Sequence, residues 1–230
     1  MNGRKMGFSV IKDVIKHALP YLPLLIFSVL IALFLVVFHV VQSFALFAEE
    51  YFVLVRSSQT VSAWFFSSYV HYDWEHLFAN IGVWIICSAL ICVMAGFRKM
   101  LENPLPKHYF IWVLALLLLL FPFILSLVNI TLTLFNKTMG FSGISFALCG
   151  VLIYLIISFL SSCETKKQKR MIGFLSLLLT LLIFASSLIP SPTNMMTTNH
   201  LGHSVGFIFG LIVAGFCEWK LQRREGRIRR

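Results

Sequence analysis

The sequence predicts an all-α, polytopic membrane protein: a bundle of six transmembrane helices. Three observations carry that reading. Hydrophobic residues make up 59% of the chain and charged residues only 12%, about half the charged share of a soluble domain. The apolar residues fall in uncharged runs of about 20, the length a helix needs to cross the hydrocarbon core. The positive residues, finally, sit almost entirely on alternate connecting segments. The 230 residues divide into a basic amino-terminal segment (1–17), a membrane domain (18–219) and a basic tail (220–230).

Residues 1–17 carry Arg4, Lys5, Lys12 and Lys16, with Met6, Val10, Ile11, Val14 and Ile15 recurring at roughly helical spacing. That pattern predicts an interfacial helix lying on an anionic leaflet. The first span follows over 20–44, with Pro20 and Pro23 in its first turns, where a missing N–H costs least. The connecting stretch holds Glu49, Glu50, Arg56, Asp73 and Glu75 and is too polar to span. Its Trp64, Phe65, Phe66, Tyr69, Tyr72 and Trp74 predict a folded loop at headgroup depth. The second span is expected over 76–96 and the third over 108–130. The fourth follows over 141–162, the fifth over 171–189, where Pro190 and Pro192 stop it, and the sixth over 200–219.

Six spans put both termini, the second-to-third turn and the fourth-to-fifth turn on one side. Those four segments carry 4, 3, 4 and 6 Lys and Arg residues, 17 of the 19 in the chain, and leave Arg56 and Lys137 to the other side. The positive-inside rule then places both termini in the cytoplasm, in a plasma-membrane protein. The net charge of +10 is thus a topological signal, and no nucleic-acid partner is expected. Cys87, Cys92, Cys149, Cys163 and Cys217 lie in or beside apolar runs, at spacings that fit neither a disulfide framework nor a zinc site. No metal or other cofactor is expected. The first apolar run is too long for a signal peptide and no small-residue cleavage site follows it.

Within this frame the second, fourth and sixth spans start on the same, outer side. His76 and Asn80 open the second, Ser142 opens the fourth, and His203 lies one turn into the sixth. Each is within roughly 10 Å of its helix start at 1.5 Å per residue. Polar groups at membrane depth are costly and face a cavity or one another. Ser142 sits in Gly140-Phe141-Ser142-Gly143 at a loop-to-helix junction. A serine there is either an N-cap or a nucleophile beside free N–H groups, which are the donors an oxyanion needs. His203, with Gly206 and Gly210 at i+3 and i+7, stands above a groove, and Gly143, Ala147 and Gly150 form a matching small face. Two such faces allow close helix approach and would bring His203 to Ser142. His200 competes for the role but lacks the glycine pattern.

His76 and Asn80, at i and i+4, share one helix face and both can donate hydrogen bonds. They suit an oxyanion hole, or else an interhelical clasp. His71 is expected to tie the loop to the bundle. No Asp or Glu is expected within any span, so a third, orienting carboxylate is absent unless a loop residue dips in, and the chemistry read here is a Ser142–His203 dyad, with Phe146 one turn below Ser142 as a ring to pack on His203.

At this point the residues resemble the rhomboid family of intramembrane serine proteases. The matching pieces are His71-Tyr72-Asp73-Trp74-Glu75-His76-Leu77-Phe78-Ala79-Asn80, then Gly140-Phe141-Ser142-Gly143, then His203 with Gly206 and Gly210. The resemblance implies Ser142 as nucleophile and His203 as general base. It implies an oxyanion hole of His76, Asn80 and the Ser142 N–H, with Gly206 and Gly210 as close-packing residues. Two features depart from the family pattern: Trp64 is followed by Phe65 where a Trp-Arg pair is usual, and Phe146 stands where tyrosine is frequent. The expected partners are the lipid bilayer and transmembrane protein substrates, cut near the outer face. The alternatives are a catalytically inactive relative that binds membrane proteins, and a small transporter with relaying histidines. The latter would carry its polar groups nearer mid-bilayer.

Overall fold

The computed structural model describes residues 12–43, 49–57, 59–132, 137–162 and 199–226. The expected fifth span (171–189), the Pro190-to-198 stretch, Cys163 and residues 1–11 lie outside the described residues. The helix α1 (Leu22–Ser43) begins the bundle, and α2 (Glu49–Phe52), β1 (Leu54–Val55) and α3 (Val61–Phe66) build the loop after it. Next come α4 (Trp74–Met100), α5 (Tyr109–Leu132), β2 (Lys137–Thr138), α6 (Ser142–Ser162) and α7 (His200–Arg224). Five of these helices are long and apolar enough to cross a membrane, and the chain is an integral, multi-pass membrane protein. Side chains such as Ile111, Leu119, Ile212 and Phe216 face outward from them, as lipid-exposed residues must.

The described part of the basic segment is helical. Residues 12–18 run through a 3-10 turn at Leu19–Tyr21 straight into α1, giving one helix over Lys12–Ser43. Pro20 falls within that 3-10 turn, where its missing N–H interrupts the α-helical hydrogen-bond ladder. Val14 packs on the core and Ala18 lies against Gly96 of α4, so packing draws this stretch onto the bundle.

α1 and α4 run antiparallel, pinned by a Ser28–Ser88 hydroxyl bond of 2.7 Å and by the Cys92 thiol donating to the Tyr21 carbonyl at 3.3 Å. α4, α6 and α7 run parallel. A Cβ placed on Gly206 would lie 2.2 Å from the Gly143 carbonyl oxygen, and one on Gly210 would lie 1.8 Å from that of Ala147. From the other side, a Cβ on Gly150 would meet the Phe207 carbonyl oxygen at 2.2 Å. The two small faces are therefore in backbone contact.

α5 contains a π-helical turn at Leu116–Leu120 just before Pro122. Pro122 has no N–H to give the Leu118 carbonyl four residues back. That carbonyl instead accepts the Tyr69 hydroxyl from the aromatic loop. Burial pushes the Tyr69 phenol well up, so it stays a donor. The loop is tied at two further points. β1 pairs antiparallel with β2, and the Ser126 hydroxyl donates to the Trp64 carbonyl at 2.6 Å. These contacts hold the loop although its tryptophan is followed by phenylalanine.

At the opposite end of the bundle, Arg98 of α4 makes a bidentate ion pair with Glu218 of α7, at 2.7 and 2.6 Å. Both side chains are buried, and Gln222 donates a further bond to Glu218 at 2.7 Å. Glu218 falls inside the 200–219 stretch expected as the sixth span, so against the expectation of spans free of Asp and Glu that span carries a carboxylate, paired across the helix interface.

Candidate active site

Asp73 caps α4 by accepting from the His76 N–H at 2.7 Å, which fixes where that helix starts and so where His76 sits. The approach to α6 is set by Gly140 and Phe141. Gly140 has φ +126°, and a Cβ there would lie 2.7 Å from Cε1 of His76. Only glycine fits both the backbone and the ring. The Gly140 N–H donates to the Ser67 carbonyl at 2.8 Å, and Phe141 is fully buried between Tyr69 and Trp84. The chain turns into α6 at this anchored point, and Ser142 is its first helical residue.

That position leaves the Ser142 hydroxyl uncommitted. The first bond of α6 runs from the Ser145 N–H to the Phe141 carbonyl, and among the described residues the Ser142 hydroxyl caps nothing. The first-turn N–H groups point past it without intrahelical acceptors.

α7 is started by Asn199, whose side chain accepts from the Gly202 N–H at 2.8 Å and donates to Asn129 of α5 at 2.6 Å. One turn on, His203 is buried, and its ring stacks on Phe146 at a centroid distance of 4.2 Å and an angle of 13°. Its Nδ1 is buried without a hydrogen-bond partner. Ser142 and His203 line the same cavity, of about 120 Å³, together with Gly140, Gly143, Gly202, Asn129, Asn199 and Lys137. The two side chains are not hydrogen-bonded to each other. His200 is half-buried, edge-on to His203 at 6.2 Å, and is not part of the cavity wall.

The other expected residues lie one layer back. His76 is half-buried, with its ring against Gly140 and 5.3 Å from that of His71. Asn80 is buried and does not line the cavity; its side-chain amide nitrogen donates to Nε2 of His71 at 3.1 Å, and its backbone carbonyl accepts the Ser145 hydroxyl at 3.3 Å. One amide N–H of Asn80 is thus engaged by His71. His71 is fully buried and ties the loop to the bundle. It exchanges backbone bonds with the Gln42 side chain of α1 and accepts the Phe141 N–H at Nε2, 3.4 Å away. Burial and the neighbouring His76 and His39 hold the His71 pKa down at about 3, so the ring is neutral.

Gly206, Gly210 and Gly143 serve the helix contact that sets His203 beside Ser142, and Gly143 also receives Leu125 of α5. Sequence reasoning missed Asn129 and Asn199. Asn199 was findable as an N-cap three residues before Gly202; Asn129 was visible only as an amide in an apolar run. Chemically, the arrangement sets a free hydroxyl, an imidazole and backbone N–H donors around one small polar cavity.

The family model of the Rhomboid domain matches residues 58–220. No curated protein matches the chain, and no solved structure does.

Proposed function

The chain belongs to the Rhomboid family, and from that premise we propose that it is a serine endopeptidase that cuts transmembrane segments of other membrane proteins. One observation carries this reading: the unspent hydroxyl of Ser142 and the ring of His203 face one cavity from two helices locked together by glycine. His203 takes the Ser142 proton as the serine oxygen attacks a peptide carbonyl carbon. The oxyanion is met by the Ser142 N–H and by donors from His76 and Asn80. The C–N bond then breaks, the proton passes from His203 to the leaving amine, and water hydrolyses the acyl-enzyme by the same route. Hydrogen bonds of this kind are often long before substrate arrives, which accommodates the open Ser142–His203 pair. Substrates are segments whose helix unwinds readily, since a helical carbonyl is already hydrogen-bonded. The Lys and Arg distribution puts both termini in the cytoplasm and the cavity end at the outer face.

The second reading is a catalytically inactive relative, and the place of Asn80 behind the cavity wall is what favours it. Cleavage of a reporter span in detergent or liposomes separates the two. Wild type should cut the span and take up a fluorophosphonate probe, and Ser142→Ala should do neither. A wild type that neither cuts nor labels supports the inactive relative.

A further inference from the structure

We propose that His71 is a positioning residue for catalysis, whose Nε2 lone pair orients the Asn80 amide and the strand leading into Ser142 at once. This rests on the protease reading above. Two N–H donors converge on one ring atom: Asn80 Nδ2 at 3.1 Å and the Phe141 backbone N–H at 3.4 Å. Because both are donors, Nε2 must be the unprotonated nitrogen, with the ring proton on Nδ1. That Nδ1 is buried with no well-formed hydrogen bond, though the Tyr69 backbone favours its protonation. Burial keeps the ring neutral, with its pKa near 3, so the Nε2 lone pair is available at neutral pH.

The consequence falls on Asn80. A buried amide can be turned either way by half a rotation about its last side-chain bond, exchanging oxygen and nitrogen. An acceptor at Nε2 settles that choice, holding the NH₂ end and expelling the carbonyl end. An NH₂ group has two N–H bonds. His71 takes one and leaves the second for a developing oxyanion. The same lone pair holds the N–H of the residue next to Ser142, so donor and nucleophile share one reference point. His71 touches neither substrate nor the reacting atoms; it acts through Asn80 and Phe141.

The test is a double-mutant cycle on the full chain, read as kcat and KM on a reporter span, with thermal stability measured alongside. His71→Leu removes the acceptor, and His71→Gln keeps one in the form of a side-chain carbonyl. Loss of one oxyanion donor costs about 10²–10³ in kcat. His71→Leu should therefore lower kcat by about tenfold or more with little change in KM. In an Asn80→Ala background the same change should cost no more than about threefold, because coupled residues are not additive. His71→Gln should recover most of the kcat. If the His71→Leu factor is undiminished without Asn80, or if kcat merely follows melting temperature, the positioning role is wrong. If His71→Leu does not fold, His71→Gln decides: kcat near wild type supports the role, and a loss that persists unchanged in Asn80→Ala overturns it. Failure here is distinct from failure of the protease reading, in which wild type itself would not cut.

Discussion

The ring of His203 is held by a stacking partner. Phe146 stacks on it face to face at 4.2 Å, restricting the ring's rotation without supplying charge. His200 lacks such support and stands outside the cavity. His203→Ala should abolish reporter cleavage, whereas His200→Ala should keep turnover within about threefold of wild type, since it touches neither the hydroxyl nor the cavity. Inactivity of the second variant with activity of the first would exchange their roles. The placing of Ser142 and His203 at the starts of two helices was legible from span boundaries and small-residue spacing. The rotation of Asn80 was not: i, i+4 spacing assigns a face of α4, but only the fold brings His71, nine residues earlier in sequence, within 3.1 Å of its amide.

At the scale of elements, the contact between α6 and α7 depends on the absence of side chains. A Cβ on Gly210 would lie 1.8 Å from the Ala147 carbonyl oxygen, a backbone atom that cannot step aside without moving the helix. Gly210→Val should therefore lower thermal stability in detergent by several kcal/mol and reduce cleavage with it, as overpacking forces the helices apart. Gly82→Ala is the matched control, since nothing lies within 4 Å of a Cβ there. It should be neutral or stabilising by up to about 1 kcal/mol. Apolar run length was sufficient to find α1, α4, α5, α6 and α7 within a few residues at most ends. It fell short where helices outrun the membrane: α4 reaches Met100 and α7 reaches Arg224, because helical propensity and packing continue past the last apolar residue. The π-turn in α5 was equally hidden. Pro122 announces a lost hydrogen bond, but that Tyr69 would claim the freed carbonyl depends on a loop 49 residues away.

For the molecule as a whole, the ion pair of Arg98 and Glu218 closes the end of the bundle far from the cavity. The partners are 120 residues apart in sequence, and no periodicity links them; Arg98 falls in the basic turn after the second span and Glu218 near the end of the stretch expected as the sixth. Arg98→Met should cost about 3–5 kcal/mol, because it strands a buried carboxylate, while Arg98→Met with Glu218→Met should restore most of that loss. Denaturation of the purified protein in micelles would measure both, and equal damage from the single and double changes would show that the pair adds nothing beyond packing. The glycine contacts near one end and this ion pair at the other join α4, α6 and α7 into one slab. Bilayers of different thickness tilt helices to hide their apolar length. A slab so fastened must lean as a unit, so His76, Ser142 and His203 keep their mutual spacing whatever the thickness of the lipid around them.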